Sequence, residues 1–362
     1  MQIIKPSYQI IDEPVVTKKI ERVARVCYKS EDKIGEGTDI KMIHNLVARQ
    51  HTAMLEHASI VLEVESSDYH YLSQIKTTME TCCSLKCDPL LPEHCYMRFT
   101  YAPVLTEDKM YDKRYLVSGN IRAWYNFLTF ARMYGYGIQE PVYMMLMEAA
   151  AVIFEEFKDN VGVTDGCAHF FDGTVSAACL ITDFSELSTE ERMVHEDISI
   201  LFTVDRGVTH ELVRHRDCSF AQESTRYCNY SLDKYGDEIT VIEPCFFARP
   251  DGVDLPTEEW AEKYGAWRAA CEECEKAYFR LLDAKATPQQ ARDVLPTSVK
   301  ADIVMTANLR EWKHIFNLRA CDSTGPAHPQ MKEIMIPCMK ELRAGKYNFA
   351  FGDMVAADEV TK

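Results

Sequence analysis

Long apolar runs are missing from this 362-residue chain, and their absence sets the first limit on its function. No stretch approaches the roughly 18 consecutive apolar residues that a membrane-crossing helix requires, so no membrane role is expected. The opening MQIIKPSYQIIDEPV has neither an apolar core nor a small-residue cleavage pattern, and does not read as a secretion signal. Positive charge is scarce as well: 40 Lys and Arg stand against 56 Asp and Glu, a net charge of −16. Proteins that coat nucleic acid neutralise phosphates with a basic face, and no such surplus exists here. Cysteines are plentiful, at 14, but metal-type pairing is not. Cys82, Cys83, Cys87 and Cys95 with His94 offer no clean pair of CxxC units. Cys271 and Cys274 lie in a helical stretch with no second pair nearby. Zinc needs two ligand pairs at turn spacing, so no metal is expected. The cysteines read as reduced thiols of a cytoplasmic protein. No low-complexity linker divides the chain.

What remains is an ordinary globular composition, 47% hydrophobic and 27% charged, long enough for one large domain with an insertion or for two domains. Thr38 is expected to cap a helix over DIKMIHNLVARQ, where Ile40, Ile43, Leu46 and Val47 recur at helical spacing. HASIVLEV (57–64) and ISILFTV (198–204) read as buried strands whose similar openings suggest neighbours in one sheet. Asp205 is placed to cap a helix through VTHELVRH, with Arg214 and Arg216 at its C-terminal end. EITVIEP reads as a strand ended by Pro244, and residues 257–284 as a long helix. Pro288 opens a further helix that Pro296 stops. LREWKHIFNLRA follows as a helix, then PQMKEIMIPCMKELRA with a kink at Pro337. Residues 118–133 and 140–158 read as helices whose Met and aromatic residues suit core or interface.

The richest stretch is RHRDCSFAQESTRY, residues 214–227. It gathers Arg214, His215, Arg216 and Arg226 with Gln222 and the hydroxyls of Ser219, Ser224 and Thr225. Arginine forks bind phosphate and carboxylate in a bidentate fashion, and hydroxyls and main-chain N–H groups fill the remaining acceptor positions. A bare Arg-His-Arg triplet is usually a basic surface turn. The wider pattern, in an otherwise acidic chain, fits a small polyanionic ligand. Ser224 has no general base fixed beside it by the sequence, so binding suits it better than nucleophilic attack.

Arg-His-Arg, seven residues, then Ser resembles the signature of flavin-dependent thymidylate synthases. ARVCYKS (24–30) is similar to the first flavin-side motif of that family, and HTAMLEH (51–57) to the second. ARDVLP (291–296) and NLREWKHIFNLRACD (308–322) resemble its C-terminal motifs, in the family's order. The resemblance implies an α+β fold, a central mainly antiparallel sheet flanked by helices. It would be carried by residues 1–65 and 196–362, with 66–195 a large, mostly helical insertion of unknown role. The implied reaction is reductive methylation of dUMP to dTMP, with methylenetetrahydrofolate as carbon donor, FAD as cofactor and NADPH as reductant. A homotetramer sharing its sites between subunits is implied too.

Residue by residue, the resemblance puts His51, Ala53, Glu56, Arg214, His215, Arg216, Gln222, Asn308, Leu309, Arg310 and His314 on the FAD. It puts Glu211, Arg214, Gln222, Glu223, Ser224, Thr225, Arg226 and Arg292 on dUMP, with Arg292 reaching another subunit's site. Arg319 would pair with the uracil edge and favour its ionised form, the catalytic part. The chain departs from the family pattern at Cys27, Ala53, Glu211, Ala221 and His314. These departures leave room for one-carbon chemistry on another pyrimidine nucleotide, such as hydroxymethylation, or for nucleotide or flavin binding without turnover. Finally, Asn120-Ile121-Arg122-Ala123-Trp124 echoes Asn308-Leu309-Arg310-Glu311-Trp312 at three of five positions. Without a structural contact this echo does not place Arg122 in the site.

Overall fold

Antiparallel strand pairing organises both parts of the chain. The computed structural model describes residues 1–66, 97–105, 111–126, 167–171, 175–226, 229–232, 236–247 and 258–360. Its strands are β1 (Gln2–Ile4), β2 (Ser7–Ile11), β3 (Ser59–Ser66), β4 (Met97–Leu105), β5 (Tyr111–Asn120), β6 (Cys167–Phe171), β7 (Val175–Leu180), β8 (Asp197–Asp205), β9 (Ser219–Gln222), β10 (Thr240–Ile242) and β11 (Lys300–Asn308). Its labelled helices are α1 (Val16–Tyr28), α2 (Thr38–Ala48), α3 (Thr189–His195), α4 (Arg206–Leu212), α5 (Glu258–Asp283), α6 (Pro288–Ala291), α7 (Leu309–Arg319), α8 (Pro329–Ala344) and α9 (Asn348–Phe351). The mixture of helices with antiparallel sheets is the α+β class that the sequence implied.

The chain forms two compact units. One comprises residues 1–12, 23–32 and 199–362; the other comprises 13–22 and 33–198. In the first, four strands run in the order β2-β8-β11-β9. Every residue of β11 between its two ends is buried, as its near-continuous apolar run requires. Helix α7 packs aromatics beneath this sheet: Trp312 stacks on Phe316 at 5.4 Å, and Phe316 meets Phe351 edge-on at 5.6 Å. Helix α8 starts with Pro329 at its first turn, where a missing N–H costs nothing. It buries Met331, Ile334, Met335, Cys338, Met339 and Leu342 along one stripe. A second core joins Tyr230, Ile239, Val241, Cys271, Tyr278 and Val299, beside the parallel pair β1–β10.

In the second unit a five-stranded sheet runs β4-β5-β3-β7-β6, all antiparallel. Three expectations are corrected here. The strands of 57–64 and 198–204 are not neighbours: β3 lies between β5 and β7, whereas β8 lies between β2 and β11. Each has partners of its own, β3 pairing antiparallel with β5 and β7 and β8 with β2, and the expected insertion supplies those of β3. Residues 118–120 end β5 instead of opening a helix, so the helix starts at 121. The described parts of 66–195 are mainly strands; the segment 140–158 lies outside the described residues, as does the Cys82–Cys95 group. Thr38 is also not a cap. Gly37, with φ of 67°, caps α2, while the Thr38 hydroxyl bonds Glu21 at 3.0 Å and the Gly35 carbonyl at 2.9 Å. Glycine takes that left-handed conformation without steric cost, which displaces the cap by one residue. No helix among the described residues is long and apolar enough to cross a membrane.

Candidate functional site

The signature segment begins at the end of a short capped helix. Asp205 accepts the Val208 N–H at 2.7 Å on one carboxylate oxygen and the Gln330 amide at 2.6 Å on the other, fixing the start of α4. At the far end the main-chain N–H groups of Val213, Arg214 and His215 bond back to Thr209, Glu211 and Leu212. The Arg-His-Arg triplet therefore lies just beyond the last turn, with Arg214 and Arg216 exposed and His215 buried between them.

Three residues after Arg216 the chain enters β9, a strand that the sequence did not suggest. It pairs with β11 in the register Gln222↔Ile303 and Ala221↔Val304. Ala221 is fully buried in this pairing, which suits a small apolar residue at this position of the signature. The Gln222 amide donates to the Thr209 hydroxyl at 3.0 Å, tying the strand back to α4. Cys27 is buried, and its thiol donates to the Gln222 carbonyl at 3.3 Å. The cysteine at that motif position thus braces the signature main chain.

Helix α7 brings the C-terminal motif to the same place. Asn308 caps it, its side chain accepting the Glu311 N–H at 2.9 Å, and Leu309 is fully buried. Arg310 and His314, four residues apart on one face, are exposed. Arg319 in the last turn donates from Nε to His215 Nε2 at 3.3 Å and from Nη1 to Glu211 at 3.1 Å. Burial, then the positive Arg319 and His314, pushes the His215 pKa down to about 4. His215 is consequently neutral near pH 7, with Nε2 as acceptor and the proton on Nδ1. Burial raises the Glu311 pKa above the usual carboxylate range, with Asp217 of the signature adding to the effect against His314. The structure thus brings together Glu211, His215, His314 and Arg319, residues separated by up to 108 positions.

Beneath the signature sits a second cluster that sequence reasoning missed. Glu223 is buried and accepts from Lys300 at 2.9 Å and from the Asp302 N–H at 3.2 Å. Lys29 lies 3.6 Å from Glu223 and bonds Asp302 directly. Lys300 and Thr203 each reach Asp302 at 2.7 Å. The main chain of Glu223 is engaged too, its N–H donating to the Asp302 carbonyl at 2.8 Å and its C=O accepting from Arg206 at 3.2 Å. Burial alone would lower the Lys29 pKa, but Glu223 and Asp302 carry it above its ordinary value. The same lysines hold Asp302 below the usual carboxylate range against its burial. Glu223, which the resemblance puts on dUMP, is buried here and anchors the base of Ser224, Thr225 and Arg226 from inside the protein. The only sequence signal was that Lys29 lies in the ARVCYKS motif, one residue before its end; nothing linked it to Lys300 or Asp302.

Not every predicted residue joins this set. Ser224 and Thr225 are half-buried and Arg226 is exposed directly after Glu223. Arg292 starts a 3₁₀ turn, its side chain 39% exposed, with Asp293 at 3.9 Å as its carboxylate neighbour. In the other unit, His51 caps the 3₁₀ turn Thr52–His57, which carries Ala53 and Glu56. His51 and Ala53 are exposed, and Glu56 forms an ion pair with Arg122.

Comparison with known proteins adds independent findings. A family model described as "Thymidylate synthase complementing protein" matches residues 10–77 and 143–345. A flavin-dependent thymidylate synthase of Pyrococcus furiosus is 31% identical over 193 residues, covering 47% of this chain and 73% of its own length. The enzyme of the same description from Corynebacterium aurimucosum is 34% identical over 145 residues, covering 39% of this chain and 55% of its own. That from Geobacter sulfurreducens is 32% identical over 176 residues, covering 48% and 64%. A solved UMP/dUMP methylase from Streptomyces cacaoi, bound with 5-Br UMP, overlaps 41% of this chain and 68% of its own at 23% identity. Its TM-score of 0.34 is too low to carry an argument.

Proposed function

The chain belongs to the flavin-dependent thymidylate synthase family, and we propose that it converts dUMP to dTMP by FAD-dependent reductive methylation. Methylenetetrahydrofolate would supply the carbon and NADPH the electrons. The observation that carries the reading is Arg319, held between Glu211 and a neutral His215 beside exposed Arg214, Arg216, Arg310 and His314.

These residues fit a flavin and a nucleotide by their donor chemistry. Arg214, Arg216 and Arg310 offer guanidinium forks for pyrophosphate, with His314 beside Arg310 on the same helical face. Ser224, Thr225 and Arg226 would hold the dUMP phosphate, with Arg292 of another subunit in a homotetramer. His51, Ala53 and Glu56 would form the flavin side of the second motif. When bound, the flavin supplies a hydride relay between nicotinamide and substrate.

The protein's own contribution is orientation and charge. Arg319 uses two of its five N–H donors on Glu211 and His215, so its plane is fixed while other donors stay available to a ligand. An imidazolium at His215 would repel the guanidinium and lose the acceptor. Its depressed pKa prevents both. A guanidinium so held stabilises negative charge on a uracil edge, where preorganised donors are most effective. Gln222, fixed to Thr209, lies between the triplet and the serine loop and would orient the nucleotide against the flavin. Bringing planar ligands into register is most of what such a reaction asks of a protein.

The test is direct. Purified protein should be yellow, and dUMP should perturb its flavin spectrum. Anaerobic incubation with dUMP, methylenetetrahydrofolate and NADPH should yield dTMP by mass. A product carrying an extra oxygen would point to hydroxymethylation instead, and the absence of any product would overturn the proposal.

A further inference from the structure

The geometry points to Arg122 as an additional flavin-binding residue, one that also positions Glu56; this rests on the functional reading above. Arg122 lies between the two stretches matched by the family, 10–77 and 143–345, so the family pattern does not assign it. Four observations converge on it.

First, the sequence echo is a structural repeat. Asn120 ends β5 and accepts the Ala123 N–H at 2.8 Å, as Asn308 ends β11 and accepts the Glu311 N–H at 2.9 Å. Each Asn caps the helix that follows, and each helix buries its first residue, Ile121 or Leu309, and its tryptophan, Trp124 or Trp312. Arg122 therefore occupies the second helical position, as Arg310 does in α7. Second, the two arginines differ in their surroundings: Arg310 is exposed, whereas Arg122 forms an ion pair with Glu56 of the second flavin-side motif. Third, the Arg122 Nε atom is buried with no hydrogen-bond partner among the described residues. A buried donor left unpaired is costly, and an acceptor on a bound ligand relieves that cost. Fourth, Ala53 and Glu56 stand three residues apart in a 3₁₀ turn, where such side chains eclipse. Exposed Ala53 has no polar side-chain atom to offer on that face, so Glu56 and the arginine bonded to it supply its polar groups.

Arg122 thus fixes the Glu56 carboxylate through Nη1 and presents Nε–H to an acceptor on the flavin, drawing a residue from the expected insertion into the cofactor site. FAD titration of the full-length apoprotein, followed by flavin fluorescence, tests this. Arg122→Ala should weaken FAD binding at least tenfold and leave dUMP binding within twofold of the parent. Adding Ala53→Thr, which puts a hydroxyl on the same face, should recover part of the loss; a merely structural role would not give that rescue. Should Arg122→Ala fail to fold, Arg122→Lys carries the test, because it keeps a charge for Glu56 but lacks the guanidinium fork. Severalfold weaker FAD binding would support the inference. Unchanged FAD affinity in the folded variant would overturn it while leaving the functional reading intact. If the parent protein itself bound no FAD, both would fall.

Discussion

Two charged clusters of the same unit contrast sharply. In the Lys29–Lys300–Glu223–Asp302 cluster, two cations and two carboxylates neutralise one another, and a backbone N–H and the Thr203 hydroxyl add further bonds. In the Glu211–His215–Arg319 cluster, one guanidinium faces one carboxylate and a neutral ring, and the Arg319 and Glu211 side chains keep 22% and 36% of their exposure. The first is closed and holds a loop in place. The second is open, and a ligand can compete for its guanidinium. Charge density alone does not mark a functional group; the unspent hydrogen-bonding capacity at the surface does.

Four experiments would break or sharpen this contrast, from the largest expected effect to the smallest. Lys300→Met leaves Glu223 and Asp302 short of a buried partner and should cost roughly 3–5 kcal/mol of stability, read as a lower denaturant midpoint. If stability barely changed, the cluster would not be the anchor described. Arg319→Ala should instead leave stability nearly intact while cutting kcat about 10²–10³-fold, the usual cost of one preorganised donor, roughly 2.7–4 kcal/mol of barrier. Equal losses of stability and turnover would erase the distinction between the clusters.

The third experiment uses pH. The His215 pKa is about 4, below its ordinary 6.5, so the unfolded chain takes up this proton more readily than the folded one. Stability from this site should be complete above about pH 6.5 and should decline as pH falls toward 4. An NMR titration that placed the His215 midpoint near 6.5 would contradict the neutral ring bonded to Arg319. The smallest effect is expected for Glu211→Gln. The half-exposed pair contributes about 0–1 kcal/mol, so the melting temperature should hardly move. The KM for dUMP should fall, because the carboxylate no longer competes for the guanidinium. A raised KM would mean that Glu211 itself holds the nucleotide.

Much of this was legible in the chain beforehand. The 214–227 stretch, the Asp205 cap and the helix of Arg310, His314 and Arg319 were all read from local pattern, because caps and helical periodicity depend on near neighbours. Other features escaped for a common reason. β9 is four residues long and alternates too briefly to register as a strand. The Lys29–Asp302 contact spans 273 residues, beyond the reach of any window. The Gly37 cap was hidden because Thr38 is the better-known capping residue, and backbone conformation decided against it. The pairing of 57–64 with 198–204 was inferred from similar openings, but resemblance between strands says nothing about which edges meet.

By itself, then, the sequence determined the chemical inventory: which side chains offer guanidinium forks, hydroxyls and amides to a polyanion, and which segments carry a helical pattern. Tertiary structure decided which of those groups are consumed and which remain available. It spent Glu223 on two lysines, set a neutral His215 against Arg319, and brought Arg122 to Glu56. The physical reason is that desolvation and hydrogen-bond satisfaction are properties of an enclosed volume, and its walls come from distant parts of the chain.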